Sequence, residues 1–310
     1  MFYKVYTNKS SKYIEIHKFN IHLASHFGMC FGVRDAIKAT RKTFDDEKVT
    51  VLGQLVHNPI VDEELKDNGV QQAELHEPVN LVKGTVVITA HGASNKDKEA
   101  WKSKDRKIID TTCPLVYKAH QALEGLVDSG YFPVVIGKKE HVEVRGLIGD
   151  FPQVLVVESE TDISNIPNVK KIGIVSQTTQ RIDRVELIVN RIRSSKRKSD
   201  VKFIDTVCAP TKNRQLSARN LSEICDLVIV VGGANSNNTI QLVNTIKEFG
   251  VHTIHIQRSS DIDPDWFEGF HDVGLTAGTS TLKETVMEVH EELEKISHGH
   301  HFNKLEKLVC

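Results

Sequence analysis

Two stretches of the chain repeat one design. Lys107-Ile-Ile-Asp-Thr-Thr-Cys113-Pro and Lys202-Phe-Ile-Asp-Thr-Val-Cys208-Ala-Pro210 each join a short apolar strand to an Asp-Thr pair, a cysteine and a proline placed for a helix's first turn. Apolar residues at helical spacing follow both: Leu115, Ala119, Leu123 and Leu126 in one, Leu216, Leu221 and Ile224 in the other. Cys30 heads a third such helix, with Val33, Ala36, Ile37 and Thr40 on one face. Its upstream turn, Phe27-Gly-Met-Cys30-Phe-Gly, uses glycines where the others use Asp-Thr.

The spacing continues past each cysteine. A strand ending in glycine and a polar loop follows at Val49–Gly53, Val134–Gly137 and Leu227–Gly232, the glycine lying 23, 24 and 24 residues after its cysteine. A second strand then ends in a small-residue, hydroxyl-rich turn: Ile88-Thr-Ala-His-Gly-Ala-Ser94, Ile174-Val-Ser-Gln-Thr-Thr179 and Leu275-Thr-Ala-Gly-Thr-Ser280. Strands alternating with helices imply βαβ units and parallel sheets. The expected fold class is α/β, with three pseudo-threefold-related modules of mainly parallel sheet spanning 31–112, 113–205 and 206–290. Residues 14–30 are placed to add a strand to the third, and 291–310 are expected as a C-terminal tail. Ligands of such sheets bind beyond the strand C-terminal ends, where all three cysteines lie. A threefold arrangement would aim Cys30, Cys113 and Cys208 at one point. The plain alternative, three small core residues, is a common fate for cysteine, but it leaves the matched spacing unexplained.

Composition removes several function classes. A chain of 310 residues buries roughly three quarters of its unfolded surface and needs no disulfide staple. Lys+Arg number 40 against 41 Asp+Glu, a net charge of −1, which argues against a protein built to grip nucleic acid. The longest apolar run, Leu227 to Ala234, has eight residues, against the roughly 20 of a membrane span. The N-terminal MFYKVYTNKSSKYIEI lacks a signal-peptide core, and the first arginine is Arg34. Five cysteines make an odd count for a secreted scaffold. The expectation is a cytoplasmic protein with neither membrane nor nucleic-acid partner.

Three thiols at helix starts meet unpaired N–H groups and a dipole that favour thiolate. Convergent thiolates suit zinc or an iron–sulfur cluster. Structural zinc commonly takes four protein ligands in CxxC pairs, and no such pair occurs. A four-iron cluster on three cysteines leaves one iron open to a substrate oxygen. Catalytic zinc stays open as a second reading, although three thiolates make it a poor Lewis acid. Cys225, at a helix end leading into a strand, reads as core packing, and terminal Cys310 as a frayed-end thiol.

The polar loops add imidazoles and hydroxyls. Gln54-Leu-Val-His57-Asn58 and Ala90-His91-Gly92 each place a histidine at a strand end, and Gly137-Lys-Lys-Glu-His141-Val-Glu143 adds a histidine two residues before a carboxylate. Gly232-Gly-Ala-Asn235-Ser236-Asn237-Asn238-Thr239 precedes Ile240, Val243 and Ile246 at helical spacing, the setting of a phosphate cradle. Together they point to an anionic, phosphorylated substrate, with Glu143 as a nearby proton donor. The basic run Arg191 to Lys198 reads as a solvated helix end, with docking of an acidic electron carrier as a lesser alternative. His298, His300 and His301 read as a polar tail, and Asp261 to Trp266 as a turn into a short helix started by Pro264.

These motifs, in order, resemble the LytB (IspH) family of 4-hydroxy-3-methylbut-2-enyl diphosphate reductases. The likeness rests on Phe27-Gly-Met-Cys30-Phe-Gly-Val, Val56-His57-Asn58, Ala90-His91-Gly92, Asp110-Thr-Thr-Cys113-Pro and His141-Val-Glu143. It continues through Gln177-Thr178-Thr179, Cys208 with Asn213-Arg-Gln215, Ser236-Asn-Asn238 and Thr276-Ala-Gly-Thr-Ser280. The resemblance implies three modules around one [4Fe–4S] cluster held by Cys30, Cys113 and Cys208, with one open iron. It implies diphosphate binding by His57, His91, Ser236, Asn237, Asn238 and Ser280, with His141 beside them. Thr178 would contact the substrate hydroxyl and Glu143 would supply protons. The implied reaction is the two-electron removal of an allylic hydroxyl, giving isopentenyl and dimethylallyl diphosphates at the last step of the methylerythritol phosphate route. A ferredoxin or flavodoxin would donate the electrons.

Three positions depart from the family pattern. Val142 stands where the family often has proline, Lys212 where some members have threonine, and Asn237 where others have a second serine. None removes a proposed ligand or proton donor. Two rivals stay in view: another three-cysteine cluster enzyme of the quinolinate synthase type, and a non-catalytic redox or ligand-binding relative.

Overall fold

The computed structural model describes residues 18–46, 48–75, 77, 82–102 and 106–298. In chain order the elements are β1 (Asn20–Leu23), α1 (Phe31–Arg41), β2 (Val49–Leu52), α2 (Pro59–Asp67), β3 (Gln71–Ala73), β4 (Gly84–Ile88), α3 (Asn95–Trp101) and β5 (Arg106–Asp110). Next come α4 (Pro114–Asp128), β6 (Phe132–Ile136), α5 (Val142–Ile148), β7 (Leu155–Val157), β8 (Lys171–Ser176), α6 (Ile182–Ser195) and β9 (Asp200–Phe203). The last are α7 (Ala209–Ile224), β10 (Leu227–Val231), α8 (Asn237–Glu248), β11 (His252–Ile256), β12 (Asp272–Ala277) and α9 (Lys283–Ser297).

The strands form three four-stranded sheets, ordered β3-β2-β4-β5, β7-β6-β8-β9 and β11-β10-β12-β1. Every pairing is parallel. Each sheet therefore places its second strand outside the first and its fourth beside the third. In the last sheet the fourth strand comes from the N-terminal side, with Asn20 opposite Asp272 and Leu23 opposite Leu275. A cysteine follows the fourth strand in all three cases: Cys113 after β5, Cys208 after β9 and Cys30 after β1. The repeat seen in sequence is thus a repeat of strand order as well as of spacing.

The chain divides into two compact units, residues 29–213 and the flanking segments 1–28 and 214–310. The first holds two sheets. Its β6–β9 sheet sorts side chains by strand parity: Val134, Ile136, Ile172 and Ile174 pack with Val185, Ile188 and Ile192 of α6. Val135 and Val175, from the opposite face, meet Ala119, Leu123 and Leu126 of α4 with Val144 and Leu147 of α5. Both faces are covered, so the strands read as continuous apolar runs. The second unit repeats this, with Leu227, Ile229, Val231 and Leu275 against Val286, Val289 and Leu293 of α9. Val228 and Val230 face Ala218 and Leu221 of α7 with Leu242 and Ile246 of α8. Cys225 is buried in that last cluster, as a core cysteine.

Three expectations change. On α4 the inward residue is Val116, with Leu115 only half-buried. On α7, Leu221 is buried as expected, but Leu216 and Ile224 are 60% and 57% exposed; the other buried positions are mostly polar or small, including Thr211, Gln215, Ser217 and Ala218. Helix α9 also runs through the expected start of the tail, burying Leu293 and Ile296. His300, His301 and Cys310 lie outside the described residues, as does the N-terminal stretch through residue 17. Pro264 does open a short 3-10 turn, Pro264–Phe267, and Arg191 sits exposed beside Glu160 at 3.1 Å. The limits 31–112, 113–205 and 206–290 remain a proposed partition. Among the described residues no helix is long and apolar enough to cross a membrane.

Candidate active site

Cys30, Cys113 and Cys208 all belong to the unit of residues 29–213. Cys30 and Cys113 are the N-cap residues of α1 and α4, and Cys208 immediately precedes α7. Backbone bonds tie two of them to loops leaving the third strand of their sheets. Cys113 N–H donates to Ala90 O at 3.0 Å and Cys208 N–H to Thr178 O at 2.9 Å. A side chain at position 32 would meet Cys113 Sγ at 2.4 Å, so Gly32 lets the first turn of α1 close on that sulfur. None of the four described cysteines is in a disulfide.

Two of the thiols, Cys113 and Cys208, behave differently from the sequence expectation. Burial pushes Cys208 up to about 11, and the Thr211 hydroxyl, 3.1 Å from its Sγ, only partly offsets this. Burial also raises Cys113, against the amides of Leu115 and Val116, with the charges of Cys30 and Glu143 adding to the rise. The helix-start amides do act, but desolvation wins. These thiols need a cation to hold them as thiolates, because a bound metal removes the protons outright. Part-buried, free of disulfides and raised by the neighbouring Cys30 charge, they fit a thiolate-held metal group.

Three loops of the same unit bring His57, His91 and His141 together. Ring centroids lie 4.3 Å apart for His57 and His91, 5.1 Å for His57 and His141, and 5.5 Å for His91 and His141. Burial pulls His57 down to about 4 and His141 to about 3, the latter helped by His57, Lys138 and Arg145. His91 is held well below the usual range by burial, then by the other two rings. Its Nε2 is buried without a partner. One ring nitrogen from each lies within 4.8 Å of the others, close enough for a metal. His141 argues against that use. It caps α5, accepting from Glu143 N–H at Nδ1 at 3.1 Å, so its proton sits on Nε2, which is a donor. Donors and neutral, desolvated imidazoles suit an anion better.

Glu143 is 2% exposed. Its carboxylate accepts from Thr178 N–H at 2.6 Å and Thr178 Oγ1 at 3.0 Å. Burial raises it to about 7 against those two bonds. Val142, in place of the family's frequent proline, occupies the first position of α5, where proline's fixed φ would be preorganised but is not required. Lys212 pairs with Asp205.

The other unit holds Ser236, Asn237, Asn238 and Ser280. Ser236 caps α8, its Oγ accepting from Thr239 N–H at 3.4 Å, and Ser280 Oγ lies 3.5 Å from it. Asn238 Nδ2 and Oδ1, Thr239 Oγ1 and Thr276 Oγ1 are buried without partners. Side chains at Gly232 or Gly278 would meet Thr239 Oγ1 at 2.4 and 2.1 Å. This is a helix start with orphaned polar atoms, onto which Gly232 and Gly278 let the strand-end loops close, and such a helix start suits phosphate oxygens. Sequence reasoning missed Thr211 and Asp62, and named Thr239 and Arg214 only as members of their motifs, with no role of their own. Arg214 Nε donates to Gly28 O at 2.9 Å, and its place in Asn213-Arg-Gln215 was the signal available.

The family described as LytB protein matches residues 21–294. A 4-hydroxy-3-methylbut-2-enyl diphosphate reductase of Dictyoglomus thermophilum is 38% identical over 279 residues, covering 89% of this chain and 96% of that protein. The Aquifex aeolicus reductase is 36% identical over 287 residues, covering 90% and 98%. Among solved structures, the E-1-hydroxy-2-methyl-but-2-enyl-4-diphosphate reductase from Plasmodium falciparum superposes with a TM-score of 0.84 at 28% identity, covering 92% of this chain and 94% of that one. A second structure, described as (E)-4-hydroxy-3-methyl-but-2-enyl diphosphate reductase, the terminal enzyme of the non-mevalonate pathway, gives 0.65 at 36% identity, covering 89% and 99%.

Proposed function

The chain belongs to the LytB family, and from that premise we propose that it reductively removes the hydroxyl of 4-hydroxy-3-methylbut-2-enyl diphosphate. The products are isopentenyl and dimethylallyl diphosphates, at the terminal step of the non-mevalonate pathway. Two electrons and two protons enter: the C–O bond breaks, a C–H bond forms, and the oxygen leaves as water. The match along residues 21–294 leaves the quinolinate synthase reading without support.

The cofactor assigned to Cys30, Cys113 and Cys208 is one [4Fe–4S] cluster. Bound there, it supplies electrons and, at the iron lacking a protein ligand, Lewis acidity toward the substrate oxygen. The electrons come from a small redox protein such as ferredoxin or flavodoxin. Diphosphate binding is assigned to His57, His91 and His141 and to Ser236, Asn237, Asn238 and Ser280. The buried imidazoles are neutral on their own, and the diphosphate's charge draws protons onto them.

The observation that carries the reading is the buried Glu143 carboxyl. At about 7, it is poised to give a proton near neutral pH. Thr178 donates to both oxygens of the charged carboxyl, which fixes it in one orientation; once Glu143 is protonated, its O–H donates to the Thr178 hydroxyl oxygen, and that hydroxyl is free to pass its own proton to the leaving oxygen. Anaerobically purified, iron-loaded protein should oxidise a reduced dye only when the substrate is added, with both products appearing. Iron-loaded protein that shows no substrate-dependent oxidation overturns the proposal.

A further inference from the structure

The imidazole cluster is one segment of a longer hydrogen-bond chain whose far end is Asp62. Gln54, in the loop after β2, donates from Nε2 to Asp62 Oδ2 of α2 at 2.5 Å. A carboxylate offers acceptors, so the amide nitrogen faces Asp62 and the carbonyl Oε1 must face His57 Nδ1, 2.8 Å away. A carbonyl only accepts, so the proton of neutral His57 sits on Nδ1. From the other side, Glu143 N–H donates to His141 Nδ1 at 3.1 Å, and His141 Nε2 then points its proton at His57 Nε2, 3.3 Å away. Every link runs one way: Glu143 amide to His141, His141 to His57, His57 to Gln54, Gln54 to Asp62.

We propose that Asp62 is a positioning residue: acting through Gln54, it fixes His57 as the Nδ1–H tautomer and leaves the Nε2 lone pair facing the imidazole cluster, where it takes up a proton when a phosphate oxygen arrives. The last step rests on the diphosphate reading of the cluster; the tautomer does not. The partner of one ring nitrogen decides which nitrogen carries the proton, and such outer partners strengthen the group they orient. Once His57 gains its second proton, Gln54 Oε1 still accepts from Nδ1, and the Asp62 end of the chain favours the positive charge. The other groups bearing on this ring are His91 and His141, with Lys138 and Arg145 acting on His141 and Glu63 beside Asp62. Asp62→Asn alters this selectively. An asparagine amide can donate as well as accept, so Gln54 is free to turn over and present its NH₂ to His57 Nδ1.

The test reads the ring directly. In full-length protein with ¹⁵N-labelled histidine, His57 should appear as the Nδ1–H tautomer, and Asp62→Asn should convert it to a mixture containing Nε2–H. Asp62→Glu, which restores an acceptor-only partner, should recover the wild-type signature. Titration calorimetry with inorganic diphosphate, in two buffers of different protonation enthalpy, should show proton uptake by the wild type. Asp62→Asn should bind about tenfold more weakly, the loss expected for one misoriented charge-assisted bond, and take up fewer protons. A wild-type His57 protonated on Nε2 overturns the proposal whether or not the variants fold. An unchanged tautomer in folded Asp62→Asn overturns it too. If the tautomer responds as stated but neither protein binds diphosphate, the positioning role stands and the diphosphate reading fails.

Discussion

Thr178 holds both oxygens of Glu143, donating from its amide to Oε1 at 2.6 Å and from its hydroxyl to Oε2 at 3.0 Å. Two donors would ordinarily make a carboxyl more acidic, yet burial overrides them and leaves Glu143 at about 7. Desolvation keeps the proton available, and the two bonds keep the acid in place. Glu143→Gln preserves shape and one acceptor oxygen but removes the acid. General acid catalysis contributes about a hundredfold to ten-thousandfold, so turnover with excess artificial donor should fall at least a hundredfold while iron content holds. Near-normal rates in the variant would remove Glu143 from the reaction.

The parts legible in sequence were those written locally. Asp-Thr, cysteine and proline signal a strand end and a helix start within a few residues, so Cys113 and Cys208 and their strands could be placed without coordinates, and Cys30 by the helical spacing after it and its matching distance to the next strand. Helix α7 shows where this fails. Its inward face is built from Gln215, Ser217, Ala218 and Leu221, while the more hydrophobic Leu216 and Ile224 point outward, so an apolar count selects the wrong face. Sequence likewise shows a cysteine at a helix start but not how deeply it is buried, and burial decides the sign for Cys208. The Gln54–Asp62 bond was hidden for a third reason: its meaning depends on which way an amide points.

Cys30, Cys113 and Cys208 are expected to hold the cluster, and Cys225, packed among Leu221, Val228 and Leu242, is not. Single changes of the first three to serine should each lower iron content and the visible absorption of anaerobically purified protein. Cys225→Ser should keep both. Loss of iron in Cys225→Ser with retention in Cys30→Ser would reverse the assignment.

Stability should respond to pH with two opposing slopes. His57 and His141 fall from an ordinary 6.5 to about 4 and about 3, and His91 falls well below 6.5. The unfolded chain binds protons that these folded rings refuse, so their contribution is full above pH 6.5 and is lost as pH falls through the folded values. Glu143 works the other way, its value rising from 4.5 to about 7. Its contribution is full below pH 4.5 and is lost as pH rises through about 7. Buried His120 also falls to about 4, and burial raises Asp62 alongside Glu143, so four rings against two carboxyls should give net destabilisation between pH 6.5 and 4.5. Glu143→Gln removes its share of the opposing slope, so urea midpoints should fall more steeply on acidification than in the wild type. An identical pH slope in the variant would mean that Glu143 titrates at its ordinary value.

Asn238 should be a residue that costs stability and supplies binding. Its Nδ2 and Oδ1 are both buried without partners, beside the equally unpaired Thr239 Oγ1, in the first turn of α8. Leaving a buried polar group unsatisfied costs about 1–3 kcal/mol, and a side chain bearing two such atoms is hard to explain by packing. A phosphate oxygen would satisfy the amide nitrogen, and a substrate hydroxyl or bridging water the amide oxygen. Asn238→Leu replaces the amide with an apolar group of similar size, removing the orphaned atoms without opening a cavity. The variant should therefore melt a few degrees higher than the wild type when neither protein has ligand, as roughly 1–3 kcal/mol would produce. Its affinity for inorganic diphosphate should drop about tenfold or more, so that added diphosphate raises the melting temperature of the wild type and scarcely moves that of the variant. A variant that melts lower and binds diphosphate as tightly as the wild type would show that Asn238 serves the packing of α8 and does not contact the ligand.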